Sequence, residues 1–206
     1  PATLAIGENS GSVALYNVST QHSTVLPGPK SSVNITVFSP SGDSLAVGYA
    51  NGNVDAWDLQ TKKVSRHFSA PSASSGGVTA VAFSPDGRDM AVAYENYGIE
   101  IFRPGAATRA GVPVNVNEVI FSLAYTPDGA TLAAGDGLGN VELFDTSNLR
   151  PAGAVAGDGS AIYALSVAPD GRTLATADGG GDLQLWDLRT LQKLGRSLIL
   201  GSPIFG

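Results

Sequence analysis

The sequence predicts an all-β fold, a β-propeller of four-stranded antiparallel blades with about five blades in 206 residues. Three observations predict it. A strand–turn–strand–turn–strand pattern recurs about every 42 residues. Glycine is frequent, at 26 residues, and glycine takes positive φ in tight turns without steric cost. No stretch shows the 3.6-residue apolar period of a helix.

The fullest copy is VAPDGRTLATADGGGDLQLWDL, residues 167–188. Pro169-Asp170-Gly171 forms its first turn, residues 174–177 a short apolar strand, residues 178–181 a glycine-rich second turn. Leu183 to Trp186 then alternates apolar and polar with period two. Copies anchored on Leu4, Leu45, Met90, Leu132 and Leu174 are spaced by 41, 45, 42 and 42 residues, with no internal gap. The aromatic closing the third strand stays in register: Tyr16, Trp57, Phe102, Phe144 and Trp186. An inner strand precedes four copies, at 33–38, 78–83, 120–125 and 162–167; the first copy lacks one. An outer strand follows at 64–68, 112–114, 152–156 and 194–200.

The chain reads as a single domain, 1–206, with repeat units of about 1–30, 31–75, 76–117, 118–158 and 159–201. Residues 202–206 begin a further inner strand, because Gly201 to Gly206 aligns with Gly159 to Ala164. Residues 70–77, 104–111 and 147–153 read as solvated connections within the array. A lone four-stranded sheet cannot bury both faces. Sheets stacked radially bury each other and leave only short edges.

Four SPDG-like turns in register and the Trp57-Asp58 and Trp186-Asp187 strand ends make the chain resemble the WD-repeat β-propellers, in a degenerate, bacterial-type form. The clearest turns are Ser84-Pro85-Asp86-Gly87 and Pro169-Asp170-Gly171. The resemblance covers the whole chain. It implies a ring that usually has seven blades, so the five copies read as part of a larger ring rather than a closed five-bladed one. It also implies a non-catalytic scaffold within a larger signalling or regulatory protein. The family's Gly-His pair is absent, and the aspartate of its second turn is replaced by Ser10, Asn51, Asn96, Leu138 and Gly180. The family's hydrogen-bond network therefore does not carry over, and inter-strand packing is expected to hold the blades.

Composition narrows the chemistry. The formal net charge is −6 and the 12 Lys and Arg form no basic stripe, which disfavours nucleic-acid binding. The absence of cysteine excludes disulfides and thiolate metal sites and leaves the compartment open. No apolar run approaches the roughly 20 residues that span a bilayer, so no membrane insertion is expected. Asp86, Asp128 and Asp170 repeat on successive units, but Pro-Asp-Gly is turn chemistry and the turns stand apart on a rim. The glycine runs at 135–139 and 178–182 have the wrong spacing for a dinucleotide loop and lead into strands. His22 falls in a polar loop and His67 in an outer strand, and no GxSxG or HExxH motif accompanies them. The sequons at Asn17 and Asn34 read as ordinary strand residues. No catalytic residue, metal site or cofactor is expected.

One constellation points to a partner. The second position of each inner strand carries Asn34, Thr79, Phe121 and Tyr163, with Phe205 next in the series. The first residue of each second turn is Glu8, Tyr49, Tyr94, Asp136 or Asp178. In the family that this chain resembles, both positions look out around the central channel, where partners dock. The expected partner face is therefore Glu8, Tyr49, Tyr94, Glu95, Phe121, Asp136, Tyr163 and Asp178. Tyrosines are typical interface anchors, and the acids favour a basic protein or peptide. Two other classes stay open: a ligand-binding or enzymatic propeller with a site in the channel, and a passive spacer.

Overall fold

β-branched and small residues alternate in short runs, and Pro-Asp-Gly turns reverse them, so the chain folds into consecutive antiparallel sheets. The computed structural model describes residues 2–72, 76–102, 118–202 and 204. Blade one holds β1 (Thr3–Gly7), β2 (Val13–Asn17) and β3 (His22–Leu26). Blade two holds β4 (Val33–Phe38), β5 (Ser44–Tyr49), β6 (Val54–Asp58) and β7 (Lys63–Phe68). Blade three holds β8 (Val78–Phe83), β9 (Met90–Tyr94) and β10 (Gly98–Phe102). Blade four holds β11 (Ile120–Tyr125), β12 (Thr131–Asp136), β13 (Val141–Asp145) and β14 (Pro151–Val155). Blade five holds β15 (Ile162–Val167), β16 (Thr173–Asp178) and β17 (Asp182–Asp187), with β18 (Gln192–Lys193) and β19 (Leu198–Ile199) both paired to β17.

Most elements match the sequence pattern, and the differences have local causes. The outer strand expected over 194–200 is split into β18 and β19, and Gly195 between them takes φ of 71°. His22 opens β3 instead of lying in a loop; HSTVL has no strong apolar row to announce a strand. The strand expected at 112–114, the loop at 104–111 and the candidate Phe205 lie outside the described residues.

The core is partitioned between blades. Val13 and Leu26 of blade one pack on Leu45, Val47, Tyr49 and Trp57 of blade two. Ala46 and Val54 of blade two meet Val81, Met90 and Phe102 of blade three. Ile99 and Ile101 of blade three meet Leu132 and Phe144 of blade four. Leu143 and Val155 of blade four meet Leu174 and Trp186 of blade five. Each layer exists only because two sheets face each other, as radial stacking requires.

The first turns are closed by their own side chains. Ser84 Oγ donates to Asp86 Oδ1 at 2.7 Å, and the Arg88 amide donates to the same oxygen at 3.0 Å. Thr126 and Asp128 repeat the arrangement at 2.6 Å. Gly87, Gly129 and Gly171 follow with φ of 69°, 71° and 68°, which fits glycine alone without strain. Blade two has Ser41 where these turns have aspartate, and Asp43 supplies the carboxylate from two residues later.

Packing is not the whole of what holds the blades. Trp186 Nε1 donates to Thr176 Oγ1 at 3.1 Å inside blade five. In blade two the Tyr49 phenol donates to Asp55 Oδ2 at 3.0 Å, and His67 Nδ1 lies 2.6 Å from Asp55 Oδ1. Side-chain networks thus exist, built from residues that only the fold brings together.

Candidate functional site

The inner strands share one irregularity. The register between first and second strands shifts between Val33 and Ile35, Val78 and Ala80, Ile120 and Ser122, and Ile162 and Ala164. The skipped residues are Asn34, Thr79, Phe121 and Tyr163, so each is the bulged residue of its strand. A bulge takes its residue out of the ladder and re-aims the side chain. These four side chains line one cavity of about 460 Å³ along the inner strands, with Ile35, Val81 and Leu123 among its other walls.

Adjacent bulges interact. The rings of Phe121 and Tyr163 lie 5.3 Å apart, centroid to centroid, at 52°. Both are half-buried, so an aromatic pair faces the channel from blades four and five. Asn34 Nδ2 donates to the Val78 carbonyl at 3.0 Å and ties blade two to blade three. Ser122 Oγ accepts from the Leu165 amide at 3.0 Å and does the same for blades four and five. The channel wall is thereby cross-braced.

The second-turn positions behave differently from expectation. Tyr49 and Tyr94 are 0% and 1% exposed, and Asp136 and Asp178 are 5% and 2% exposed. The reason is that each residue still belongs to its strand: the Tyr49 amide donates to Asn53 O and the Asp136 amide to Asn140 O. Strand alternation then turns the side chains of Tyr49 and Tyr94 into the layers between blades. Tyr94 packs edge-on against Tyr97 with centroids 6.3 Å apart. Asp136 Oδ1 accepts the amides of Leu138 and Asn140, and Asp178 Oδ1 those of Gly180 and Asp182. These four residues hold the scaffold and offer little surface to a partner.

Glu8 and Glu95 are exposed. Glu8 Oε2 accepts from Ser12 at 2.7 Å and from Ser10 at 3.0 Å, and these bonds hold its carboxyl below the usual range. The fold adds a juxtaposition that no motif announced: carboxylates of Asp158, Asp178 and Asp182 come within 4.8 Å of one another beside the second turn of blade five. Asp158 and Asp182 are far apart in the repeat pattern, so sequence spacing gives no sign of it. The repeated Asp86, Asp128 and Asp170 do not converge in this way. Among the described residues no serine–histidine–carboxylate arrangement surrounds His22 or His67; His67 is paired to Asp55.

Two family models match along the chain. The anaphase-promoting complex subunit 4 WD40 domain matches residues 2–75, and the WD domain, G-beta repeat, matches residues 62–101 and 151–187. The chain belongs to the WD40-repeat propellers. A chain in the "Crystal Structure of Mitotic Checkpoint Complex" is similar to this WD40 propeller with a TM-score of 0.86 and 20% identity. The match covers 98% of this chain and 63% of that one, so this chain spans less than two thirds of that chain's length. At this identity the likeness shows the fold. No curated protein matches.

Proposed function

We propose that this WD40 propeller is a non-catalytic protein-interaction scaffold, whose partner segment seats on the channel mouth against Phe121 and Tyr163. The observation that carries the reading is the bulge. Four inner strands break their ladder at one position, and at two neighbouring copies the released residues are large aromatics in contact. Aromatic pairs on a rigid frame give contact area at little entropic cost. WD40 domains are in general protein-interaction scaffolds, which supports this reading. Glu8 and Glu95 are exposed and the net charge is −6, so a basic segment is the favoured partner.

The test is partner capture by the chain and by Phe121→Ala and Tyr163→Ala, with thermal unfolding recorded for each. The reading expects both variants to stay folded and to lose capture at least tenfold. Unchanged capture by both would remove it. A small-molecule thermal-shift screen addresses the other class: a hit abolished by Asn34→Ala and Thr79→Ala would favour a channel ligand.

A further inference from the structure

We propose that Asn51 is a site of spontaneous chemical modification, where the Gly52 amide nitrogen displaces ammonia from the side chain and water opens the resulting ring to aspartate or isoaspartate. Asn51-Gly52 lies in the second turn of blade two, between β5 and β6. Asn51 is the one asparagine of the sequence that glycine follows. It is exposed, and Gly52 takes φ of 80°. Without a Cβ, Gly52 puts nothing between its own nitrogen and the Asn51 carboxamide carbon.

The turn holds the reacting groups together. Asn51 Oδ1 accepts the Asn53 amide at 3.1 Å, which folds the carboxamide back over the Gly52 peptide and polarises its carbonyl. Among the described residues Asn51 Nδ2, the leaving group, makes no hydrogen bond. One bond opposes the reaction: the Gly52 amide donates to Tyr49 O at 3.0 Å and must be released first. It sits at the tip of a hairpin, where local opening is least costly. The bond from Gly52 nitrogen to Cγ then forms, the Cγ–Nδ2 bond breaks, and the Gly52 proton leaves with that nitrogen as ammonia. Water adding at Cγ of the five-membered imide gives aspartate at position 51, and water adding at the backbone carbonyl gives isoaspartate.

Other sites lack one of these parts. Asn17 Oδ1 accepts the amides of Ser19 and Thr20 in the same manner, but the β-branched Val18 follows it. Asn34 precedes Ile35, and its Nδ2 donates to the Val78 carbonyl. Asn140 precedes Val141, and its Nδ2 donates to Asp136. Asp86, Asp128 and Asp170 precede glycines and accept the amide two residues on. Hydrogen bonds keep those carboxyls ionised, and a carboxylate is a poor electrophile. The two products at position 51 differ in their effect. Aspartate keeps the acceptor for the Asn53 amide and adds one negative charge to an exposed turn. Isoaspartate lengthens the backbone inside a turn closed by bonds from the Tyr49 amide to Asn53 O and from the Gly52 amide to Tyr49 O.

The test incubates the whole folded chain at mildly alkaline pH and follows each asparagine by peptide mass mapping, with isoaspartate read by methyltransferase labelling. Asn51 should convert to the acid at least tenfold faster than Asn17, Asn34 and Asn140. Gly52→Ala should slow the conversion at least tenfold. The comparison of Asn51 with Asn17 within one molecule needs no variant, so the outcome does not depend on whether Gly52→Ala folds. The proposal is overturned if Asn51 stays an amide in the folded chain over the time in which a free peptide of residues 44–58 converts, since the Gly52 bond to Tyr49 then protects it. It is also overturned if Asn17, Asn34 or Asn140 converts as fast as Asn51, or if folded Gly52→Ala converts as fast as the parent chain.

Discussion

Tyr49 and Asp55 join across one hairpin of blade two: the phenol donates to Oδ2 at 3.0 Å, and both residues are buried. Burial, and then the charge of Asp55, holds the Tyr49 phenol well above the ordinary tyrosine value. The bond is charge-assisted and lies in a layer that water does not reach. Asp55→Ala strands the hydroxyl and should cost about 1–3 kcal/mol. A double-mutant cycle with Tyr49→Phe, read by denaturant unfolding, should show a coupling of roughly 0.5–3 kcal/mol. A coupling of zero would mean the pair is geometry without energy.

The same residue sets an alkaline limit. A folded-state value raised above the unfolded one contributes stability that is present below about pH 10 and lost as pH rises further. Tyr125, also pushed up mainly by burial, adds to it. Tyr49→Phe should therefore flatten the fall in melting temperature between about pH 9 and 11. An equally steep fall in the variant contradicts this.

Leu45 and Leu4 occupy one repeat position in two surroundings. Leu45 is enclosed by blade one, and Leu4 is 54% exposed. Leu45→Ala should lose about 2–5 kcal/mol. Leu4→Ala should stay within about 0.5 kcal/mol in the free chain. Chemical denaturation of both variants distinguishes position in the repeat from position in the layer.

Acid should loosen the first turns. Hydrogen bonds from Ser84 to Asp86, from Thr126 to Asp128, and from the Arg172 amide to Asp170 hold these carboxyls below their usual values. Depressed folded values contribute stability that is present above about pH 4 and lost as pH falls further. Replacing all three by Asn should shallow the acid limb of a stability–pH profile. An unchanged limb would assign acid sensitivity to other groups.

The turn after the third strand holds a correctable strain. Gln21 and Lys62 take φ of 57° and 55°, the left-handed region that costs a side-chain-bearing residue about 1 kcal/mol. Gln21 is exposed at its turn. Gln21→Gly should raise stability by up to about 1 kcal/mol, measured as a shift in denaturation midpoint. A loss of stability would show that backbone entropy outweighs the strain.

The sequence by itself determined the blades. Period, turn chemistry and two-residue alternation act locally, so strands such as β16 and turns such as Ser84 to Gly87 are legible one repeat at a time. It also determined the aromatic register, because Trp57, Phe102, Phe144 and Trp186 all end buried. Which side chains reach the channel was decided by tertiary structure. Tyr49 and Tyr163 look alike as aromatics beside turns. One ends a ladder and turns into the layer between blades, while the other is released by a bulge. Bulges depend on how two strands pair, and burial depends on whether a neighbouring blade is present. Neither is written in the spacing of one strand, which is why, of the eight residues expected on one face, Tyr49, Tyr94, Asp136 and Asp178 are buried while Phe121 and Tyr163 line the cavity along the inner strands.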